Sequence, residues 1–185
     1  MPFPRKSAKP KAFLDEAGLY DYAVKALGRQ MRSEAELRRL MSSRAEPGAH
    51  GEAAVAAVVA RLKDHGYLDD QAFAETYARL RQEDEKLGQR RVRQDLRQKG
   101  LRSELIEKTV ASSYSATNEE ALAREYLCRK RISKPESPKD TARVMRRLVA
   151  AGFSTETIYK ILRQWDASDE SLAALDNLDA ERHEE

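Results

Sequence analysis

The sequence lacks the residues that build disulfides, metal centres and membrane spans. Its 185 residues contain one cysteine, Cys128, so an internal disulfide is excluded, and there is no CxxC or Cys/His cluster. No apolar run approaches the roughly 18 residues of a transmembrane helix, and the N-terminus lacks the apolar block of a signal peptide. These absences predict a cytoplasmic protein with no membrane partner.

Catalytic motifs are missing as well. There is no Gly-rich phosphate loop, no GxxxxGK[ST] and no GxSxG. His50, His65 and His183 are scattered and are expected to be surface histidines. Asp69 and Asp70 resemble a paired acid site, but consecutive helical residues point in different directions, so helix capping explains the pair better. The sequence therefore predicts a non-enzymatic protein without a cofactor or metal.

Charge is abundant, and it is segregated along the chain. Lys, Arg, Asp and Glu make up 35% of the residues, with a net charge of +3. Residues 1–14 carry a charge of +4, and residues 166–185 hold eight acids and Arg182, a charge of −7, which leaves +6 between them. A basic middle segment predicts an acidic or polyanionic partner.

Apolar positions recur with a period near 50 residues, and each period contains three helical patterns. This predicts an all-α fold of three tandem three-helix repeats, at 17–67, 68–115 and 116–166. We expect a disordered basic arm at 1–16 and an acidic tail with a possible short helix at 167–185. Because each repeat buries only a thin core, neighbouring repeats must support one another, and an elongated, curved molecule is expected. The protein is also expected to be a monomer. The clearest match aligns Val92, Leu96, Gly100, Leu101, Ile106 and Val110 with Val144, Leu148, Gly152, Phe153, Ile158 and Leu162.

Local signals place the helix ends. Ser33 with Glu36, and Thr117 with Glu120, have capping-box spacing, and Ser137-Pro138 is typical of a helix start. A loop insertion is expected near 46–51. The predicted helices are 17–29, 33–44, 52–65, 70–84, 89–99, 103–113, 118–132, 138–151 and 155–166.

The stretch 66–100 organises the chain as two helices with marked ends. Gly66 and Gly100 are helix stops, Asp69 is an N-cap and Gly88 starts the second helix. Tyr67 and Leu68 are expected to turn inward, as are the helical positions Phe73, Tyr77 and Leu80, the pair Val92 and Leu96, the aromatics Tyr126, Phe153 and Trp165, and Cys128.

The second of these helices carries most of the charge. Arg90, Arg93 and Arg97 follow i, i+3, i+7 spacing and share an outward face, opposite the apolar pair. The alternative is an ordinary solvated face, neutralised by the acids at 83–85. No aromatic residue interleaves with the stripe, so a stacking platform for single-stranded nucleic acid is not predicted. The full set of predicted contact residues is Lys86, Arg90, Arg91, Arg93, Arg97 and Lys99, with Arg143, Arg146 and Arg147 on the matching helix of the third repeat.

Two blocks of this stretch resemble the motifs of the RecX family, regulators of the RecA recombinase. The blocks are Gly66-Tyr67-Leu68-Asp69-Asp70 with Phe73-Ala74, and Gly88, Arg91-Val92, Asp95-Leu96 and Lys99-Gly100. The similarity extends over roughly 19–165. It implies a protein that lies in the groove of the RecA nucleoprotein filament and suppresses its ATPase, strand exchange and coprotease activities. Recombination and the SOS response would thereby be limited, and some members bind DNA.

A rival hypothesis is a DNA-binding architectural protein that does not depend on RecA. Direct duplex binding that weakens steeply with salt, without an effect on a recombinase, favours this rival.

Overall fold

The computed structural model describes residues 12–165, and this part of the chain consists of nine α-helices without a β-strand. None of these helices is long and apolar enough to cross a membrane. Most of the predicted arm 1–16 and the predicted tail 167–185 lie outside the described residues. The helices are α1 (Glu16–Leu27), α2 (Glu34–Ser42), α3 (Ala49–Asp64), α4 (Asp70–Glu83), α5 (Gln89–Gln98), α6 (Ser103–Tyr114), α7 (Glu119–Arg129), α8 (Pro138–Ala150) and α9 (Thr155–Gln164).

The helix starts follow the capping signals with one exception. Ser33 and Glu36 form the predicted capping box, and the Ser137 side chain accepts from the Asp140 amide with Pro138 in the first turn. The predicted capping box at Thr117 is wrong. Asn118 caps α7 instead and accepts from the amide of Ala121. The amide side chain of asparagine is an equally good N-cap, so the cap moves by one residue.

The loop insertion expected near 46–51 is also partly wrong. The loop is shorter than predicted, because α3 already begins at Ala49. Gly51 is a loop signal in the sequence, yet it lies in the first turn of this helix. It is buried there against the chain at Glu46, and a Cβ on Gly51 would lie 1.8 Å from the Glu46 carbonyl oxygen. The glycine therefore serves a close backbone approach rather than a loop.

The predicted repeat of three helices is present, as α1–α3, α4–α6 and α7–α9. Positions matched across the repeats are buried together: Val92 and Val144, Leu96 and Leu148, Ile106 and Ile158, Val110 and Leu162. The repeat boundaries at 17–67, 68–115 and 116–166 stay predictions. By its contacts the chain divides into two compact units. Among the described residues, unit 1 holds those up to Phe73 and Lys99–Leu101, and unit 2 holds Ala74–Gln98 and those from Arg102 to Trp165.

Each unit has its own core. In unit 1, α1, α2 and α3 pack on one another around Leu19, Leu37 and Leu62, all fully buried. In unit 2, α5 packs on α6, and α7 and α8 pack on α9. Phe153 is the largest fully buried side chain of unit 2, and the Tyr126 ring contacts it edge-on at 5.8 Å. Burial of these apolar side chains supplies most of the stabilisation of each unit.

Three residues predicted to lie inward are exposed. Leu68 and Phe73 are buried, but Tyr67 is 57% exposed and Leu80 is 42% exposed. Cys128 is exposed as well. Tyr67 and Cys128 each lie next to a buried leucine, and one step along a helix or turn rotates a side chain by about 100°. Proximity in sequence to a core residue was therefore a poor guide to burial.

The start of α5 meets the end of α8 inside unit 2. The Gly88 amide donates to the Ala151 carbonyl over 2.8 Å, and the Arg90 amide donates to the Gly152 carbonyl over 3.2 Å. The two backbones touch, since a Cβ on Gly88 would lie 2.3 Å from the Gly152 oxygen. First-turn amides of one helix thus satisfy the last carbonyls of another, groups that otherwise have no helical partner. We call this contact the α5–α8 junction.

The junction predicts an unequal cost of two Gly→Ala changes. Gly152 has φ +88° and a Cβ there would lie 2.2 Å from the Arg91 nitrogen, whereas Gly66 has φ +71° and open space around it. The positive φ alone costs about 1 kcal/mol for alanine. We therefore expect Gly66→Ala to lower the free energy of unfolding by about 1 kcal/mol and Gly152→Ala by at least about 2–3 kcal/mol. Urea unfolding of both variants measures this, and equal losses would contradict the junction.

Candidate partner-binding surface

The two acids of the first motif block cap two different helices. Asp69 accepts from the amides of Gln71 and Ala72, at 2.8 and 3.0 Å, and so caps α4. Asp70 accepts from the Glu34 amide at 2.7 Å and so supports the start of α2 within unit 1. Both carboxylates are thus engaged with helix starts, as the capping interpretation of the pair requires.

Lys99 belongs to unit 1 and is held there by α2. The Ser33 hydroxyl donates to the Lys99 carbonyl over 2.6 Å, and the Lys99 ammonium lies 2.9 Å from the Glu36 carboxylate. The ammonium also lies 5.6 Å from the centre of the Phe73 ring. The predicted contact residue Lys99 therefore has internal partners, and its side chain is only 23% exposed.

The arginine stripe of α5 lies opposite its apolar pair. Val92 and Leu96 are fully buried, and Arg93 and Arg97 both reach one acid on α6. The Glu107 carboxylate lies 2.8 Å from Arg93 and 3.5 Å from Arg97. The acids at 83–85, considered as neutralising groups, are engaged elsewhere in part, since Glu83 pairs with Arg79 and Glu85 with Arg81.

Arg91 is tied to a buried acid rather than to solvent. Asp95 is only 8% exposed, and its carboxylate lies 2.9 Å from the Arg91 guanidinium. The Tyr77 hydroxyl donates to the same carboxylate over 3.1 Å, and Arg81 lies 4.0 Å away. Burial and the nearby Asp95 charge raise the pKa of Tyr77 above its usual 10, against the opposing effect of Arg81. The group is an internal network that joins α4 to α5.

Lys86 and Arg90 face acids of α7. The Lys86 ammonium lies 2.6 Å from the Glu125 carboxylate. Glu119 accepts from the Ser154 hydroxyl, from the Thr157 hydroxyl at 2.6 Å and from the Ser154 amide at 3.0 Å. Burial by itself raises the pKa of Glu119, but these hydrogen bonds outweigh it and, with the charge of Arg90, lower the pKa below the usual 4.5.

The arginines of α8 are exposed, but their positions differ from those of α5. Arg143 has a side chain that is 66% exposed and pairs with Asp140 at 2.7 Å. Across the period of 52 residues, Arg143 matches Arg91, whereas Arg146 and Arg147 match Gln94 and the buried Asp95. The two helices therefore both carry basic faces, but the stripe is not repeated position by position.

Exposure of the cation's own side chain separates the predicted contact residues into two groups. Within residues 12–165, Arg90, Arg146 and Arg147 have no ion pair, and the pairs of Arg97 and Arg143 are solvent-exposed. The side chains of Lys86, Arg91, Arg93 and Lys99 are less exposed than those of Arg97 and Arg143, and they pair with Glu125, Asp95, Glu107 and Glu36. We name the first group the exposed arginine set: Arg90, Arg97, Arg143, Arg146 and Arg147.

The sequence interpretation missed three acids that shape this surface. Asp95 gave a signal, because it is the one acid between Lys86 and Arg102 and lies next to the buried Leu96. Glu107 and Glu119 gave none, since their partners lie on other helices. Among the described residues no group of three His, Cys, Asp or Glu side chains is arranged to hold a metal ion.

Comparisons with known proteins agree on one family. The sequence model of the family described as RecX, second three-helix domain, matches residues 69–110. The regulatory protein RecX of Mycolicibacterium vanbaalenii is 31% identical over 155 residues, which is 80% of this chain and 82% of that protein. The regulatory protein RecX of Salmonella newport is 32% identical over 157 residues, 80% and 92% of the two chains.

Solved structures show the same fold. A crystal structure of regulatory protein RecX superimposes with a TM-score of 0.64 and 23% identity, and the match covers 80% of this chain and 71% of that one. The structure of RecX from Lactobacillus salivarius gives a TM-score of 0.61 at 20% identity, over 82% and 97% of the two chains.

The hydrogen bonds of Glu119 predict a stability that depends on pH. Because the pKa of this carboxyl is lowered in the folded chain, its contribution is full above about pH 4.5 and is lost as the pH falls through the folded pKa. We expect Glu119→Gln to be less stable than the parent at pH 7, with the difference shrinking below pH 4.5. Thr157→Val removes one donor and should reduce the same pH-dependent part. Urea unfolding from pH 7 to pH 3 measures this. If the difference in the free energy of unfolding between variant and parent did not change with pH, Glu119 would not contribute to the pH dependence.

Proposed function

The chain belongs to the RecX family, and on that premise we propose that it is a non-enzymatic regulator that binds the RecA filament on DNA. It lies in the groove of the filament and inhibits the ATPase, strand exchange and coprotease activities of RecA. Recombination and the SOS response are limited as a result. We propose that the protein acts in the cytoplasm as a monomer. The observation that supports a polyanionic or acidic target is the exposed arginine set.

A nucleoprotein filament offers phosphates and acidic side chains, and guanidinium groups bind both through paired hydrogen bonds. Arg90, Arg146 and Arg147 need not give up an internal ion pair to make such contacts. The arginines of α5 and α8 both belong to unit 2, so one folded unit carries the whole set. Several exposed charges add up along a repetitive partner even though each contributes little.

Paired arginines differ in how readily they change partner. Arg97 lies 3.5 Å from Glu107, with side chains 60% and 51% exposed, and such a surface pair contributes only about 0–1 kcal/mol. Arg97 can therefore exchange Glu107 for a group of the filament at little cost. Arg91 cannot, because its departure would leave the buried Asp95 without its closest cation. The proposed contact residues are therefore fewer than the predicted ones and are limited to the exposed arginine set.

Charge reversal tests this division. We expect the parent protein to lower the ATPase rate of RecA on single-stranded DNA at substoichiometric amounts. Arg90→Glu with Arg97→Glu should raise the half-inhibiting concentration about tenfold or more, since each lost contact and new repulsion costs about 1 kcal/mol.

A matched control places the same charge change elsewhere on unit 2. Arg79 and Arg163 lie exposed on α4 and α9, outside the exposed arginine set. Arg79→Glu with Arg163→Glu should leave the half-inhibiting concentration within about twofold, an energy of less than about 0.5 kcal/mol. If the half-inhibiting concentration rose equally in both variants, the effect would come from net charge rather than from a surface on α5. An unchanged ATPase rate with the parent at any ratio would remove the proposed function.

The RecA-independent architectural protein is the second candidate, and the same basic surface supports it. This candidate predicts direct binding to duplex DNA, with a logarithm of affinity that falls with the logarithm of salt concentration at a slope of roughly 0.9 per phosphate contacted. Such binding together with an unaltered RecA ATPase rate favours that candidate over a filament regulator.

A further inference from the structure

A basic cavity lies at the start of α8, and none of its lining residues belongs to α5. Its volume is about 470 Å³, and its lining comes from the α7–α8 connection and from α8 itself. The floor includes apolar groups of Ile132 and Val144. The charged lining residues are four cations and two acids: Arg131, Lys134, Arg143, Arg147, Glu136 and Asp140.

The charges around this cavity do not cancel. The Asp140 carboxylate accepts from the Ser137 hydroxyl and pairs with Arg143, both at 2.7 Å, so this acid is already engaged. Arg131 and Arg147 are exposed and have no ion pair within residues 12–165. The cavity therefore presents net positive charge over a partly apolar floor.

The place of the cavity in the repeat is also distinctive. The starts of α2 and α5 are each covered by the end of another helix, through Ser33 on the Lys99 carbonyl and Gly88 on the Ala151 carbonyl. The start of α8 caps itself through Ser137, and Pro138 has no N–H to donate. The starts of α2 and α5 thus hydrogen-bond to the end of another helix, whereas the start of α8 borders a basic cavity lined by residues 131–147.

We propose that this cavity binds the acidic C-terminal segment of the same chain, residues 166–185. The segment has eight acids and one arginine, and it follows directly on Trp165, which ends the described part of unit 2. Its 20 residues span up to roughly 66 Å when extended, and Trp165 packs on the same core cluster as the cavity residues Ile132 and Val144. Attachment to the same chain raises the effective concentration to about the millimolar range, so a weak contact is well populated.

The composition of the lining favours an acidic peptide over a phosphate backbone. Glu136 and Asp140 repel a continuous row of phosphates, whereas a peptide can place its acids beside Arg143 and Arg147 and its leucines on the apolar floor. The segment has leucines between its acids, at 172, 175 and 178. Because Arg143 and Arg147 also belong to the exposed arginine set, the segment competes with a filament for them. That regulatory consequence rests on the proposed function, whereas the binding itself does not.

The single cysteine allows a direct test without RecA. Cys128 is exposed and lies three residues before Arg131, which lines the cavity. We expect a nitroxide spin label on Cys128 of the full chain to broaden the amide resonances of residues 166–185. Arg131→Asn with Arg143→Gln and Arg147→Gln should restore those resonances, and asparagine tolerates the positive φ of Arg131, +52°. Raising NaCl to 1 M, where the Debye length falls to about 3 Å, should do the same.

Two controls make the result specific. Arg90→Gln with Arg97→Gln and Arg163→Gln removes three charges from other surfaces of unit 2 and should leave the broadening in place. Replacing the acids of 166–185 with Asn and Gln leaves residues 12–165 untouched and should abolish it. Absence of broadening in the parent overturns the proposal. Equal loss of broadening in the cavity variant and in the control arginine variant also overturns it. Since the sample holds no RecA, neither result depends on the proposed function.

Discussion

The contact of one helix start with another helix end is the constraint on which this structure depends. At the α5–α8 junction two amides find two carbonyls, and the paired ends would otherwise be left without helical partners. Only glycine permits the close approach of the backbones at Gly88 and Gly152. The same device recurs within unit 1. The Lys99 carbonyl accepts from Ser33, and the Arg44 carbonyl accepts from the Leu14 amide, at the corresponding end of α2. A repeat of thin three-helix layers thus gains hydrogen bonds as well as apolar contacts at its joints.

The surface follows from this scaffold through electrostatics. A cation is withheld from a partner where its acid is buried, as for Arg91, or where its own side chain is little exposed, as for Lys86, Arg93 and Lys99. Arg91 lies on a basic helix yet serves the buried Asp95, whereas Arg97 on the next turn holds only an exposed acid. Unpaired buried charge is expensive, and exposed pairs are nearly neutral in energy. The basic residues of α5 therefore fall into two kinds: those held by ion pairs inside the protein and those available to a partner.

The fold could be predicted further from the sequence than the site could. Helix ends depend on local chemistry, so Ser33, Ser137 and the 52-residue spacing of Leu96 and Leu148 located the elements correctly. Tyr67, Leu80 and Cys128 were placed wrongly because one position of rotation decides burial. The ion pairs were out of reach, since Arg93 meets Glu107 across two helices and no local pattern encodes that meeting.

Native-state amide hydrogen exchange at the start of α5 tests the central claim most directly. First-turn amides exchange quickly unless something accepts their hydrogen bonds. The junction predicts that the Gly88 and Arg90 amides are protected as strongly as that of the buried Leu96. The comparison is the Glu104 amide in the first turn of α6, where Arg102 provides no side-chain cap. Exchange at Gly88 and Arg90 as fast as at Glu104 would contradict the account.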